Sequence, residues 1–441
     1  MITNHEDADT YRLSPSLKIA SLSSRQTFLS WNDPQTGRER MEQAGPDELL
    51  GIKMVAEKLC VKRLAGEHNL PVSRFYRLLS VLDRKGILQA PKTLLRRNPA
   101  LFGDDLSDDR LTITVFTLQW HITNACDLHC RHCYDRTKRS PMTEAQALHA
   151  LDAFERFCHD HWVSGYICFA GGNPFLYPEF PDLYKETVRR GFDVGILGNP
   201  VQREQIEAIC HIKPPDFYQM SLEGRRAHND AIRGHGTYDR VIAFAGILRE
   251  LGVPCHIMLT ATDANLKEIL PLAALLSGRV DGFSFSRLCP TGEGAALRQP
   301  DPLRYRAFLK RYIRKGEKNR CLNLKENLLS LALAENDYEI SDGCTGFGCG
   351  AAFNCLPLLP DGEVHACRRF PSLLGNIQTQ SFDEIYCSEA AERFRRGLQA
   401  CNVCPLKHAC GGCMAASARD AGNTLPTRDP YCWKCRPVMS T

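Results

Sequence analysis

Three cysteines share one short window, spaced Cys126-x3-Cys130-x2-Cys133, inside the run His121-Ile-Thr-Asn-Ala-Cys-Asp-Leu-His-Cys-Arg-His-Cys-Tyr134. Thiolates this close can hold three irons of a cubane and leave the fourth iron without a protein ligand. An open iron can chelate a small molecule, as a catalytic zinc keeps an open position. The alternatives are a fortuitous Cys-rich loop or a zinc site short of one ligand. A second constellation runs Cys349-x5-Cys355-x6-Gly362-x4-Cys367, then Cys401-x2-Cys404-x5-Cys410-x2-Cys413, then Cys432. These eight thiols suffice for two four-cysteine sites. Zinc is the rival, but a zinc ribbon separates its two Cys-x2-Cys knuckles by about 15–20 residues, not by five.

The rest of the chain is ordinary. It has 441 residues, is 43% hydrophobic and 24% charged, and carries 21 cysteines. The two percentages exclude a disordered chain, and the cysteine density is below that of a disulfide scaffold. Met1–Thr10 carries Glu6, Asp7 and Asp9 without a basic residue or apolar core, so it does not read as a signal peptide. No run reaches the roughly 18 apolar residues of a membrane helix. The expected home is the reducing cytoplasm, where clustered thiols read first as metal or iron–sulfur ligands. The formal charge of +4 identifies no partner.

Three textures divide the chain, with a tail expected over 1–19. Residues 20–100 read as a winged-helix-like module. A hairpin is expected from Thr27–Ser30 and Arg38–Met41. A helix capped by Asp47 would run through Leu49, Leu50, Val55 and Leu59. A second carries Phe75, Leu78, Leu79 and Leu82, with Gly86 placed to stop it. The stretch 101–112, within Arg96–Arg110, reads as a linker. Residues 113–300 alternate helical patterns with candidate strands Leu111–Leu118, Tyr166–Phe169, Asp193–Leu197, Phe217–Ser221, Val253–Leu259 and Gly282–Ser286. That is an α/β pattern with a parallel sheet or partial barrel, in which chemistry sits at the carboxyl ends of strands. Bridging helices are expected over 301–343. Residues 344–441, rich in Cys, Gly and Pro, read as a fold organised by metal rather than by a large core.

The cysteine triplet after the first strand, with the β/α pattern behind it, resembles the radical S-adenosylmethionine (SAM) superfamily. The resemblance implies a partial (β/α)6 barrel in which Cys126, Cys130 and Cys133 bind a [4Fe–4S] cluster. The free iron would bind SAM, whose reductive cleavage gives a 5′-deoxyadenosyl radical. Gly171-Gly172-Asn173-Pro174 is similar to the family's Gly-Gly-Glu-Pro loop beside the SAM amino group, with Asn173 in place of Glu. Asn199 would stand where the family meets the ribose. Ser221 and Arg233, in a block running from Gln219 to Gly234, would contact SAM, with Arg233 pairing its carboxylate; the alternative for Arg233 is a solvated helix-end arginine. His132 takes the place of an aromatic beside SAM, where stacking is expected.

The C-terminal cysteines resemble the SPASM domain of radical SAM peptide maturases. The resemblance implies one auxiliary [4Fe–4S] cluster on Cys349, Cys355, Cys367 and Cys413, and a second on Cys401, Cys404, Cys410 and Cys432. Cys344 and Cys435 are unassigned and could replace Cys349 or Cys432. Sulfatase-maturing relatives carry an Asp that serves as base directly after the cysteine matching Cys367. This chain has Arg368, so that route to formylglycine is disfavoured and no catalytic base is assigned. Arg368 and Arg369 would face an acidic substrate, tune a cluster, or be solvated. Cys168 and Cys255 read as small core residues.

The implied function is hydrogen abstraction on a ribosomally made peptide, with a faint likeness to thio(seleno)oxazole-type peptide maturases. The N-terminal module would bind the leader along a strand edge, and a flavodoxin- or ferredoxin-type donor would supply electrons. Eleven Lys/Arg against five Asp/Glu over 46–97 make DNA the rival partner, although nucleic acid is disfavoured. The other readings are a small-molecule radical SAM dehydrogenase and a non-enzyme iron–sulfur or zinc regulator.

Overall fold

The computed structural model of the chain describes residues 11–23, 26–34, 36–68, 70, 72–90, 93–102, 106–341, 343–418 and 426–434. Cys435 and Gly103 lie outside them. The chain divides into two compact units, one of residues 1–93 with 186–192 and one of the remainder.

The first unit pairs β1 (Arg12–Leu13) with β5 (Leu88–Gln89) and holds a three-stranded antiparallel sheet of β2 (Lys18–Ser23), β3 (Gln26–Asn32) and β4 (Glu39–Gln43). Helices α1 (Pro46–Ala56), α2 (Val61–His68) and α3 (Val72–Lys85) follow. The hairpin expected around the Asn32–Gly37 turn is β3–β4. Gly45, not Asp47, caps α1, because Pro46 at the first helical position sets the start. Leu49 and Leu50 are exposed, while Ile52, Met54 and Val55 are buried. A Cβ on Gly51 would collide with Leu82, so the glycine lets α1 and α3 approach there. Trp31, Phe75, Leu79, Leu82 and Ile87 fill this core, and Gly86, at φ +82°, ends α3.

In the second unit, β6 (Val115–Thr123), β7 (Ser164–Gly171), β8 (Asp193–Leu197), β9 (Phe217–Ser221), β10 (Cys255–Ala261) and β11 (Gly282–Arg287) lie side by side in chain order, all parallel. This is the α/β partial-barrel sheet. The strand expected at Leu111–Leu118 begins and ends later. Arg96 bridges Thr112, and Ile113 N–H donates to Leu95, so 112–113 pair with the incoming strap instead of the sheet. That strap, read as a linker, holds two one-turn helices, α4 (Pro99–Phe102) and α5 (Asp108–Leu111). Between and after the strands come α6 (Glu144–Asp160), α7 (Phe180–Arg189), α8 (Arg203–Ile212), α9 (Arg226–Arg233), α10 (Thr237–Glu250), α11 (Ile269–Leu276), α12 (Pro302–Gly316) and α13 (Leu329–Ala334).

The Cys-rich region departs from its expected texture. β12 (Cys355–Leu358) pairs in parallel with β6, setting Cys355 beside Thr117 and Leu358 beside Trp120. β13 (Glu363–His365) and β14 (Leu373–Asn376) extend the same sheet antiparallel. With α14 (Phe382–Tyr386), α15 (Glu389–Arg396) and α16 (Met414–Ser417) they bury Phe353, Leu356, Leu358, Val364, Ile377, Phe382, Ile385 and Phe394. The region therefore has an apolar core of its own, and the barrel sheet supplies one wall of it. Among the described residues no helix is long and apolar enough to cross a membrane.

Candidate functional site

The strand ends build the site. β6 stops at Thr123 and the triplet loop begins. Beside it, β7 ends at Gly171 in a φ of +134°, a region costly for side chains. A Cβ on Gly171 would collide with the Thr123 carbonyl, and one on Gly172 with the Ala125 carbonyl. Gly172 N–H donates to Thr123 at 2.9 Å and Asn173 N–H to Ala125 at 2.8 Å. The two glycines thus let β7 clip the base of the triplet loop. Gly171→Ala is expected to cost about 1–3 kcal/mol and to lower the iron bound by the triplet, read by thermal denaturation and iron analysis. Gly246→Ala, in exposed helix with nothing within 4 Å, is the matched substitution expected to leave both unchanged or slightly raise stability.

Asp127, next to Cys126, explains Asn173. The Asp127 carboxylate accepts from Asn199 Nδ2 at 2.7 Å, Asn173 Nδ2 at 3.1 Å and Arg240 at 3.0 Å. Burial works to raise its pKa, but these donors hold the carboxyl below its ordinary value. A Glu at 173 would turn a carboxylate toward Asp127, whereas Asn turns a donor. Asn199 also reaches Cys126 Sγ at 3.5 Å and accepts from Arg233 at 3.2 Å. Pro174, buried, opens the single turn after Asn173.

A second hub was invisible to pattern reading. Glu223, 1% exposed, accepts from Thr260 N–H at 2.9 Å, lies 2.7 Å from His132 Nε2 and forms an ion pair with Arg233 at 3.5 Å. Burial opposes its charge, yet His132 and Arg233 hold the carboxyl below the usual range. Arg233 is buried, so the solvated-arginine alternative is set aside. His132 is anchored by its hydrogen bond to Glu223. Arg233 Nε and His132 Nδ1 are buried and have no hydrogen-bond partner, as suits groups completed by a charged ligand. Ser221 ends β9 two residues before Glu223.

Below the triplet a cavity of about 340 Å³ runs from the inner faces of the strands to Cys349, Cys355, Cys367 and Cys413. Cys344 lines it too, as does Cys168, expected in the core. Cys289, passed over in the sequence, packs on Cys413 and Cys367. Arg97, from the strap, donates to the Phe347 and Cys349 carbonyls at 2.9 and 2.7 Å, fixing the first thiol's backbone. Burial pushes the Cys349 and Cys355 thiols up to about 12; such thiols ionise when a metal takes the proton's place. In the other set, Cys401, Cys404 and Cys410 share one loop, and Cys404 N–H donates to Cys401. Cys432 N–H donates to the Asp429 carbonyl, while the Asp429 carboxylate accepts from Cys413 N–H at 3.0 Å. Among the described residues no three His, Cys, Asp or Glu side chains converge on a single metal ion.

Comparison with known proteins follows the same division. The Radical SAM superfamily model matches residues 120–276, and the SPASM iron–sulfur cluster-binding domain model matches residues 349–414. The mycofactocin maturase MftC of Mycobacterium ulcerans is 29% identical over 336 residues, covering 71% of this chain and 87% of its own. The AdoMet-dependent heme synthase of Methanosarcina barkeri is 27% identical over 352 residues, covering 71% and 95%. Among solved structures, Streptococcus suis SuiB bound to its precursor peptide SuiA superposes with a TM-score of 0.60 at 18% identity, covering 96% of this chain and 100% of that one.

Proposed function

Because the chain belongs to the radical SAM superfamily and carries a C-terminal SPASM domain, we infer that it is a maturase acting on a ribosomally made peptide. It is a radical SAM enzyme that uses a [4Fe–4S] cluster and SAM, and its SPASM domain binds auxiliary iron–sulfur clusters. When bound, that cluster and SAM supply a carbon-centred radical that abstracts hydrogen. The peptide reading rests foremost on a chain-long likeness to SuiB, a fold solved with its precursor peptide, and MftC, a maturase by name, supports it.

In this reading Cys126, Cys130 and Cys133 hold the SAM-binding cluster. Gly171, Gly172, Asn173 and Pro174 keep that loop in place, while Asn199, Ser221, Arg233 and His132 receive SAM. Cys349, Cys355, Cys367 and Cys413 hold one auxiliary cluster; Cys401, Cys404, Cys410 and Cys432 hold the other. The first module takes the leader on an open edge of its sheet, where β2 and β4 each present unpaired backbone. The work is cytoplasmic, with a flavodoxin- or ferredoxin-type protein as electron donor.

Anaerobic reconstitution with SAM and a reductant should release 5′-deoxyadenosine, and Cys130→Ala should abolish it. Iron near twelve per chain supports three clusters, and about four leaves the triplet alone. A short peptide encoded beside the gene, where one is found, should be modified, with binding lost when residues 1–93 are removed. If an iron-loaded chain forms no 5′-deoxyadenosine, the assignment of the triplet fails; modification of a tetrapyrrole and of no peptide overturns the substrate class.

A further inference from the structure

We propose that the barrel lumen holds a carboxylate receptor built from Arg368 and Lys325, so that the part of the substrate entering the barrel is acidic. The inference rests on the peptide reading for its source of carboxylate, an Asp or Glu side chain or a peptide C-terminus.

The argument starts from charge inside the cavity. Five charged side chains line it: Arg287, Lys325, Glu326, Arg368 and Arg369. Three are committed. Arg287 pairs with Glu326 at 2.9 Å, and Arg369 donates to Cys413 Sγ at 3.3 Å. Arg368 and Lys325 have no hydrogen-bond or ion-pair partner among the described residues. Arg368 is half-buried, and a half-buried cation without a counter-charge is costly. Lys325 is exposed but lines the same cavity, so an anion bound there recovers the cost at Arg368 and meets a second cation.

The position suits a substrate. Arg368 and Lys325 both act on the Cys168 thiol, on the inner face of β7. Arg368 also acts on His121 and Tyr134, which flank the triplet, and on Cys355 at the other end. The receptor lies in the cavity that Cys168 of β7 lines together with the auxiliary-site thiols Cys349, Cys355, Cys367 and Cys413. Among the described residues, the Gln119 and Gln219 side chains that line the same cavity have no hydrogen-bond partner, and the Tyr166 hydroxyl is buried without one. Leu197, Phe217, Met258 and Phe285 supply apolar wall. A largely apolar cleft with a few convergent polar groups is a built ligand site. A planar guanidinium with a flexible ammonium nearby recognises a carboxylate on an apolar stem, and free amides serve the flanking peptide bonds.

The test uses the full-length holoenzyme, reconstituted anaerobically with SAM, and isothermal titration at low salt. The probes are three N-acetylated peptide amides, each with three alanines on either side of a central glutamate, glutamine or lysine, and pimelate. The glutamate peptide is expected to bind at least tenfold tighter than the glutamine peptide. That ratio should fall to about one in Arg368→Gln and fall partly in Lys325→Gln. Arg368→Glu should turn the preference toward a central lysine. A ratio near one in the unaltered enzyme overturns the proposal, as does a ratio that survives both neutral substitutions together. If Arg368 serves only as counter-charge to cluster thiolates, Arg368→Gln shifts the visible absorption and leaves the ratio unchanged, which also overturns it. Pimelate binding that depends on Arg368, with no binding of any peptide, upholds the receptor and removes the peptide reading.

Discussion

Arg287→Met is expected to destabilise the barrel unit by about 3–5 kcal/mol, lowering Tm by roughly ten degrees. Arg287 is 2% exposed at the end of β11. It forks onto Asp429 with two bonds of 2.7 Å and donates Nε to Glu326 at 2.9 Å. Met fills similar volume, so packing changes little, and the loss is the cation that two buried carboxylates share. Burial opposes the Asp429 charge, but Arg287 keeps that carboxyl below its ordinary value; at Glu326 burial prevails and the carboxyl is raised.

The pH dependence follows from those directions. In the unaltered protein Asp429 contributes stability above its unfolded value, near pH 4, and that contribution is lost as pH falls through its lower folded value. Without Arg287 desolvation dominates and raises both carboxyls, so the variant loses stability as pH rises from acid toward neutral. The Tm gap between the two proteins should widen from pH 5 to pH 8. A gap that is flat across that range, or smaller than two degrees, excludes this role. Adding Asp429→Asn and Glu326→Gln should recover part of the loss. Asp429 also holds Cys413 N–H and the Cys432 segment, so the single variant should reconstitute with less than its full iron.

Glu223→Gln is expected to lower the rate of 5′-deoxyadenosine formation about 10–100-fold, the size seen when a partner that orients a metal-site group is removed. Glu223 touches neither a proposed iron ligand nor open space; it acts through His132 and Arg233. Gln keeps the volume and one acceptor, but it loses the charge opposite Arg233, and its NH2 must face either Arg233 or the Thr260 N–H, both donors. Two readouts separate positioning from simple damage. The Kd for SAM should rise while the iron held by Cys126, Cys130 and Cys133 stays at its full value. If SAM binds as tightly as before, Glu223 does not serve the site; if iron is lost in parallel, its role is structural.

The parallel strands Asp193–Leu197 and Phe217–Ser221 were legible to the residue, because buried central strands are short apolar runs between punctuating residues. The boundary at Leu111 was not. Its residues have the same β-forming character as the strand, but their backbone pairs with residues 95 and 96. Likewise 344–441 read as metal-organised because its apolar residues show no period. Their burial depends on β12 joining β6, from which it is separated by more than 230 residues.

The sequence by itself determined which side chains are available for chemistry: three thiols in one loop and eight more in two spaced sets. Local spacing is enough to single them out, because thiols within one short run of chain are close in space in any fold. It also carried the glycines at 171 and 172 and the Asn at 173. Only the tertiary structure decided what those residues are for. The glycines make room for carbonyls of the triplet loop, and the Asn answers Asp127 from 46 positions away. Glu223 serves His132 across 91 positions, and Arg287 serves Asp429 across 142. A buried charge must find its counter-charge wherever the chain brings one, and sequence spacing holds no record of such a pairing. Arg368 and Lys325 mark the reverse case: the fold brings two cations to one cavity and, among the described residues, supplies neither with a partner.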